Sequence, residues 1–85
     1  MKYQLEIMPK AARDIKTIPK KDVVKIIEKI NEMMDGLKGD VKRLTNFTPE
    51  YRLRYRNWRV LFEVEDDRII IYRIMHRKDI YRLGG

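Results

Sequence analysis

The apolar residues of this chain change their period once, and that change decides what the chain can fold into. From Val23 to Leu37 they recur every three to four residues, at Val23, Val24, Ile26, Ile27, Ile30, Met33, Met34 and Leu37. This spacing lays one wide apolar stripe along a helix. From Tyr51 onward the period is two. Tyr51, Leu53 and Tyr55 alternate with Arg52, Arg54 and Arg56, and Trp58, Val60, Phe62 and Val64 alternate with Arg59, Leu61, Glu63 and Glu65. The run from Ile69 to Met75 follows the turn signal Asp66-Asp67. Three such runs in succession predict an antiparallel meander.

The remaining segments complete an α+β reading. Residues 2–8 alternate, with Tyr3, Leu5 and Ile7 on one side, which predicts a half-buried strand. Pro9 suits the first turn of a helix, and Ala11, Ala12, Ile15 and Ile18 carry that helix to about Thr17. Pro19 breaks it and opens the long helix, which should stop near Gly36. Residues 38–50 read as a loop, with Gly39, Asp40, Asn46, Thr48 and Pro49 as loop formers and Lys42, Arg43 and Leu44 inside it. The expected architecture is therefore an N-terminal strand, a two-helix hairpin, and a three-stranded meander in one sheet with the helices on one face. The tail from His76 to Arg82 can form a helical turn, and Leu83-Gly84-Gly85 is expected to fray.

Size and composition narrow the function. A chain of 85 residues buries only about 60–65% of its unfolded surface, so one core and one domain, 1–85, are expected. With no cysteine and a single histidine, disulfides, thiolate metal sites, a cysteine nucleophile and a histidine-rich metal cage are excluded. No metal or other cofactor is expected. Apolar runs reach four residues at most, too short for a membrane span. The first residues have no apolar stretch of signal-peptide length, so the expected compartment is the cytosol. The net charge of +7 favours a polyanionic partner such as nucleic acid, the ribosome, anionic lipid or an acidic protein.

Strand register turns this charge into a site. Two-residue turns at Arg56-Asn57 and Asp66-Asp67 would set Tyr55 opposite Trp58, Leu53 opposite Val60 and Tyr51 opposite Phe62. On the next hairpin they would set Val64 opposite Ile69, Phe62 opposite Ile71 and Trp58 opposite Met75. That face should pack on the helices, with Arg73 its one charge, placed at the edge with its head in solvent. The other face would carry Arg52, Arg54, Arg59, Leu61, Glu63, Ile70, Tyr72, Ile74 and His76. Here Arg54 lies opposite Arg59 with Arg52 close by, and like charges so placed destabilise a sheet. A solvated basic face, an anion site gripping phosphate through arginine forks, and a dock for an acidic protein all fit this cluster. Arg56-Asn57 is a poor two-residue turn beside Asn-Gly, and a longer loop would shift the pairing. In the tail, Arg77 and Tyr81 are four apart and share a helical face. Cations around Tyr81 favour the tyrosinate, which could take a proton, or Tyr81 could simply anchor the tail by packing. His76 could be an acid–base group or an ordinary surface histidine.

The progression Tyr51-Arg52-Leu53-Arg54, then Trp58-Arg59-Val60-Leu61-Phe62-Glu63-Val64, then Ile69 through Met75 to His76-Arg77 and Tyr81 resembles the RelE/ParE superfamily of toxins from type II toxin–antitoxin systems, closest to its RelE branch. The resemblance spans essentially the whole chain and implies the same order of elements. It implies a metal-independent endoribonuclease (an mRNA interferase) that enters the ribosomal A site and cuts mRNA there, inhibiting translation. The 2′-hydroxyl would attack the adjacent phosphate and the 5′-oxygen would leave. By the same resemblance Arg52, Arg54 and Arg59 would bind the scissile phosphate and stabilise developing charge. Tyr81 would be the general base, and Arg77, or else His76, the general acid. Arginine is a poor proton donor, so its part could be electrostatic with a water delivering the proton. A small RelB-like antitoxin is the implied partner, beside the ribosome and mRNA. The chain departs from the common family pattern in three places: Arg56-Asn57 replaces Gly-Asp or Gly-Asn, Trp58 stands where tyrosine is common, and Thr45 follows Leu44 where glycine is common. A ParE-like toxin that poisons DNA gyrase without cutting RNA, and a non-catalytic nucleic-acid-binding module, remain the alternatives.

Overall fold

A computed structural model describes residues 2–46 and 48–83, with 81–83 as backbone. The elements are β1 (Gln4–Ile7), α1 (Pro9–Thr17), α2 (Lys20–Met33), β2 (Val41–Arg43), β3 (Tyr51–Tyr55), β4 (Trp58–Glu65), β5 (Arg68–His76) and α3 (Arg77–Leu83). The strands form one five-stranded sheet in the order β1-β5-β4-β3-β2. β1 runs parallel to β5, and the other pairs are antiparallel. The α+β class and the meander stand as the sequence predicts.

The helices start and stop where local chemistry dictates. Pro9 sits at the start of α1, where its missing N–H costs nothing. α2 ends at Met33, and the chain then turns through Gly36 and Leu37, both with positive φ. Ala11, Ile26, Ile30 and Met33 from the helices and Ile18 from the junction between them pack on Leu53, Val60, Phe62, Ile69, Ile71 and Ile74 from the sheet, forming the core. The Tyr51 and Phe62 rings stack across β3 and β4, 5.4 Å apart. Trp58 Nε1–H donates to Asp22 at 3.4 Å, linking the start of β4 to the first turn of α2. Among the described residues no helix is long and apolar enough to cross a membrane.

The β3–β4 register is the expected one throughout, including Arg54 opposite Arg59. The two-residue turns are made by placing Arg56 and Asp66 at positive φ, 54° and 55°, a region non-glycine residues seldom occupy.

Four expectations need correction. First, the segment 38–50 is not all loop, because Val41–Arg43 adds to β3 as the edge strand β2. Three residues are too few to show a period. Second, β1 is an exposed edge rather than half-buried, with Leu5 and Ile7 at 41% and 38% exposure. Tyr3, just before it, packs against the core.

Third, β5 carries a bulge. Phe62 pairs with Ile71 but Leu61 pairs with Arg73, so Tyr72 is the extra residue. Past a bulge every side chain changes face. Ile74 therefore joins the core, Met75 pairs with Arg59, and His76 rather than Met75 stands opposite Trp58. Arg73 does not end in solvent but binds the Asp14 carboxylate of α1. Fourth, the helical turn expected in the tail is present and extends to the seven-residue helix α3, but it lies on the sheet face opposite α1 and α2, where Ile80 and Leu61 line one cleft. Of the residues expected to fray, Leu83 is the last residue of α3, and Gly84-Gly85 lie outside the described residues.

Candidate active site

The outer face of β3 and β4 presents Arg52 beside Leu61 and Arg54 beside Arg59. α3 is set over this face by its first residue, whose amide donates to the Asn57 carbonyl at 2.7 Å. Between helix and sheet lies a cleft of about 150 Å³ lined by Leu44, Arg52, Arg59, Leu61, Arg77 and Ile80. Three aliphatic residues and three arginines therefore line one recess. Leu61, nearly inaccessible, is part of its apolar surface.

The fold resolves the like-charge conflict by drawing Arg54 and Arg59 to different partners. Arg59 Nη1 donates to the carbonyls of Arg56 and Trp58 at 2.7 and 3.0 Å, on the side of the hairpin turn. Arg54 Nε donates to Asp40 Oδ2 at 2.5 Å. Arg52 Nη1 donates to Asp40 Oδ1 at 3.2 Å and to the Asp40 carbonyl at 2.9 Å. Hydrogen bonds from Arg54 and Arg52 hold the Asp40 carboxyl below its ordinary range.

Of the residues singled out in the sequence, the structure gathers Arg52, Arg59 and Arg77 around the cleft. Arg54 lies next along the strand, outside that lining, with its side chain 53% exposed against 16% for Arg52. His76 is turned elsewhere. Its ring meets Trp58 edge-on, with centroids 5.3 Å apart and an interplanar angle of 81°. Its Nδ1 accepts the Lys78 amide at 3.3 Å. Tyr81 falls within α3, and its side chain lies outside the described residues. Among the described residues no group of three or more His, Cys, Asp or Glu comes together as a metal site.

Sequence reasoning missed Asp40, Leu44 and Ile80. Asp40 follows Gly39 and reads as a loop former. The signal that could have found it is charge itself, because three clustered arginines call for a carboxylate and the preceding loop offers Asp40 and Glu50. Glu50 is engaged otherwise, its amide donating to Glu63 and its carboxylate accepting Arg43 Nη2 at 3.1 Å.

Chemically, such a recess can seat a phosphate on guanidinium forks while its aliphatic walls exclude water. Three comparisons bear on what it is. The family described as the ParE toxin of the type II toxin–antitoxin system parDE matches residues 5–81. Toxin RelE3 of Methanocaldococcus jannaschii is 36% identical over 74 residues, covering 81% of this chain and 84% of that protein. The putative toxin RelE1 of the same organism is 34% identical over 84 residues, covering 93% of each. Among solved structures, the RelB–RelE antitoxin–toxin complex from Methanococcus jannaschii superposes with a TM-score of 0.79 at 30% identity, over 94% of this chain and 99% of its counterpart. The archaeal RelE–RelB complex from Pyrococcus horikoshii, at 24% identity and a TM-score of 0.72, covers 91% of this chain and 97% of its counterpart and shares the fold.

Proposed function

Because this chain belongs to the RelE branch of the RelE/ParE superfamily of type II toxins, we propose that it is a ribosome-dependent endoribonuclease that cuts mRNA in the A site. The observation that carries this reading is the convergence of Arg52, Arg59 and Arg77 on one recess. Cleavage of an RNA strand by its own 2′-hydroxyl demands orientation and charge neutralisation more than a strong nucleophile.

In the proposed reaction the scissile phosphate sits on the Arg52 and Arg59 guanidiniums. Tyr81, as tyrosinate, takes the proton of the 2′-hydroxyl. The 2′-oxygen bonds to phosphorus, the bond from phosphorus to the 5′-oxygen breaks, and a 2′,3′-cyclic phosphate remains. The departing oxygen needs a proton. Arg77 lines the cleft while His76 packs on Trp58, which favours Arg77 acting on that oxygen through a water. Arg54 adds positive charge along the strand. The relatives solved with RelB support a small antitoxin as partner, and a net charge of +7 suits an acidic segment lying over the cleft.

Cleavage of mRNA on programmed ribosomes, beside naked mRNA, tests this with wild type and Tyr81→Phe. Ribosome-dependent cuts that disappear in Tyr81→Phe are expected. No cuts by the wild type would overturn the reading. Inhibition of DNA gyrase by the same preparation would then assign the chain to the gyrase-poisoning mode.

A further inference from the structure

Asp40 stands immediately before β2, and each of its oxygen atoms is taken by the arginine strand. The carbonyl accepts the Arg54 amide at 3.0 Å and Arg52 Nη1 at 2.9 Å. Oδ1 accepts Arg52 Nη1 at 3.2 Å, and Oδ2 accepts Arg54 Nε at 2.5 Å. We propose that Asp40 is a positioning residue of the cleft. It holds Arg52 by one terminal nitrogen so that the other edge of the guanidinium meets the substrate phosphate, and it keeps Arg54 outside as its own counter-ion. This deepens the endoribonuclease reading and rests on it.

The geometry carries the inference in three steps. A guanidinium has five N–H donors in a plane and grips phosphate best through two neighbouring ones. Both bonds from Arg52 to Asp40 leave from Nη1, so the edge formed by Nε and Nη2 is the one left to a ligand. The carboxylate doing the holding is itself anchored, because the Asp40 carbonyl is tied to the amide of β3. Arg52 is well covered where Arg54 is open to solvent.

A carboxylate beside a phosphate site lowers affinity for an anion while fixing the geometry of the group that binds it. The two effects separate in kinetics. Loss of the carboxylate should slow the bound complex without weakening its formation. An ordinary structural role would do neither selectively.

Single-turnover cleavage on programmed ribosomes by wild type, Asp40→Asn, Arg52→Ala and the double variant tests this. The saturated rate of Asp40→Asn is expected to fall roughly tenfold to a hundredfold, the scale of a small misplacement, with the half-saturating toxin concentration not raised. In the Arg52→Ala background the same change should cost less than about twofold, because residues acting as a unit are not additive. A wild-type rate for Asp40→Asn, equal losses in both backgrounds, or a loss confined to half-saturation would each overturn the proposal. Asp40→Glu keeps the charge but displaces the carboxylate by one methylene. It should lose rate as well, and it decides the matter if Asp40→Asn fails to fold. Should the wild type make no cuts, the endoribonuclease reading fails by itself. The holding of Arg52 is then read by NMR of the free protein. A sharp Arg52 Nε–Hε signal in wild type that is lost in Asp40→Asn is expected, and the same signal in both would overturn it.

Discussion

The Asp14 carboxylate of α1 receives the Arg73 guanidinium of β5 through two nitrogens, Nε at 2.8 Å and Nη2 at 3.1 Å, and the oxygen that takes Nε also takes the Ile74 amide at 2.9 Å. One carboxylate thus clamps both residues that follow the bulge at Tyr72. The bond to Asp14 raises the pKa of Arg73, keeping it charged throughout the accessible range. β1 pairs only as far as Ile71, which leaves this part of the sheet edge open for α1 to reach.

Asp14→Ala should therefore destabilise the fold by about 2 kcal/mol, below the cost of breaking a fully buried pair because both partners keep some solvent contact. Urea denaturation measures it. In an Arg73→Leu background the same change should cost less, since no guanidinium is left without its partner.

Asp40 makes stability depend on pH in acid. Its folded pKa is depressed by Arg54 and Arg52, so the folded protein binds this proton less readily than the unfolded chain. The contribution is fully present above the unfolded value of about 3.9 and is lost as pH falls through the folded value. Denaturation midpoints followed from neutral pH into this range should fall less steeply for Asp40→Asn than for wild type.

Alanine substitutions should sort the arginines by their relation to the cleft. Arg52→Ala is expected to lower ribosomal cleavage by about a hundredfold or more, the scale of one lost transition-state donor. Arg54→Ala, removing a side chain outside the lining, should cost less than about tenfold on the same scale. Equal losses in a single-turnover assay would place both guanidiniums on the phosphate.

Ile80 ties α3 to the outer face. Ile80→Asp sets a carboxylate against the apolar surface around Leu61, which is costly without a partner. Hydrogen exchange should show the α3 amides losing protection while those of β4 and β5 keep theirs.

Asp66 tests the turn at Asp66-Asp67. At a φ of 55° glycine is relaxed and a β-branched residue is not. Asp66→Gly should hold or raise stability by up to about 1 kcal/mol, and Asp66→Val should lower it by about 1–2 kcal/mol. Thermal melts compare the two.

The two hairpins show why some of this was legible in the sequence and some was not. β3 alternates strictly between arginine and large apolar residues, and β4 keeps Trp58, Val60, Phe62 and Val64 on one side against Arg59, Leu61, Glu63 and Glu65 on the other, so one register buries the aromatic face, and the pairing of Arg54 with Arg59 follows. β5 has no such alternation. Ile69, Ile70, Ile71, Tyr72, Ile74 and Met75 suit either face, so nothing in the residues pins the register and the bulge at Tyr72 leaves no trace. His76 was misplaced for that reason. The arginine cluster was legible because it is energetically odd. Its counter-ion was not, because a carboxylate after a glycine looks like any other loop residue until the chain is folded. The recess itself needs Leu44 and Ile80, one from the loop and one from the tail, and neither belongs to a periodic pattern.

The parallel pairing of β1 with β5 sets an order of assembly during synthesis. A ribosome making this chain releases β1 before the other described strands, but the strand that β1 needs, β5, follows β2, β3 and β4. Until Arg68–Ile71 has emerged, β1 has no neighbour and the sheet lacks the strand between β1 and β4. Arg77 and Ile80 emerge later still. The nascent chain therefore carries no assembled cleft while its sheet is incomplete, and the arginine recess forms only after nearly the whole fold has left the exit tunnel.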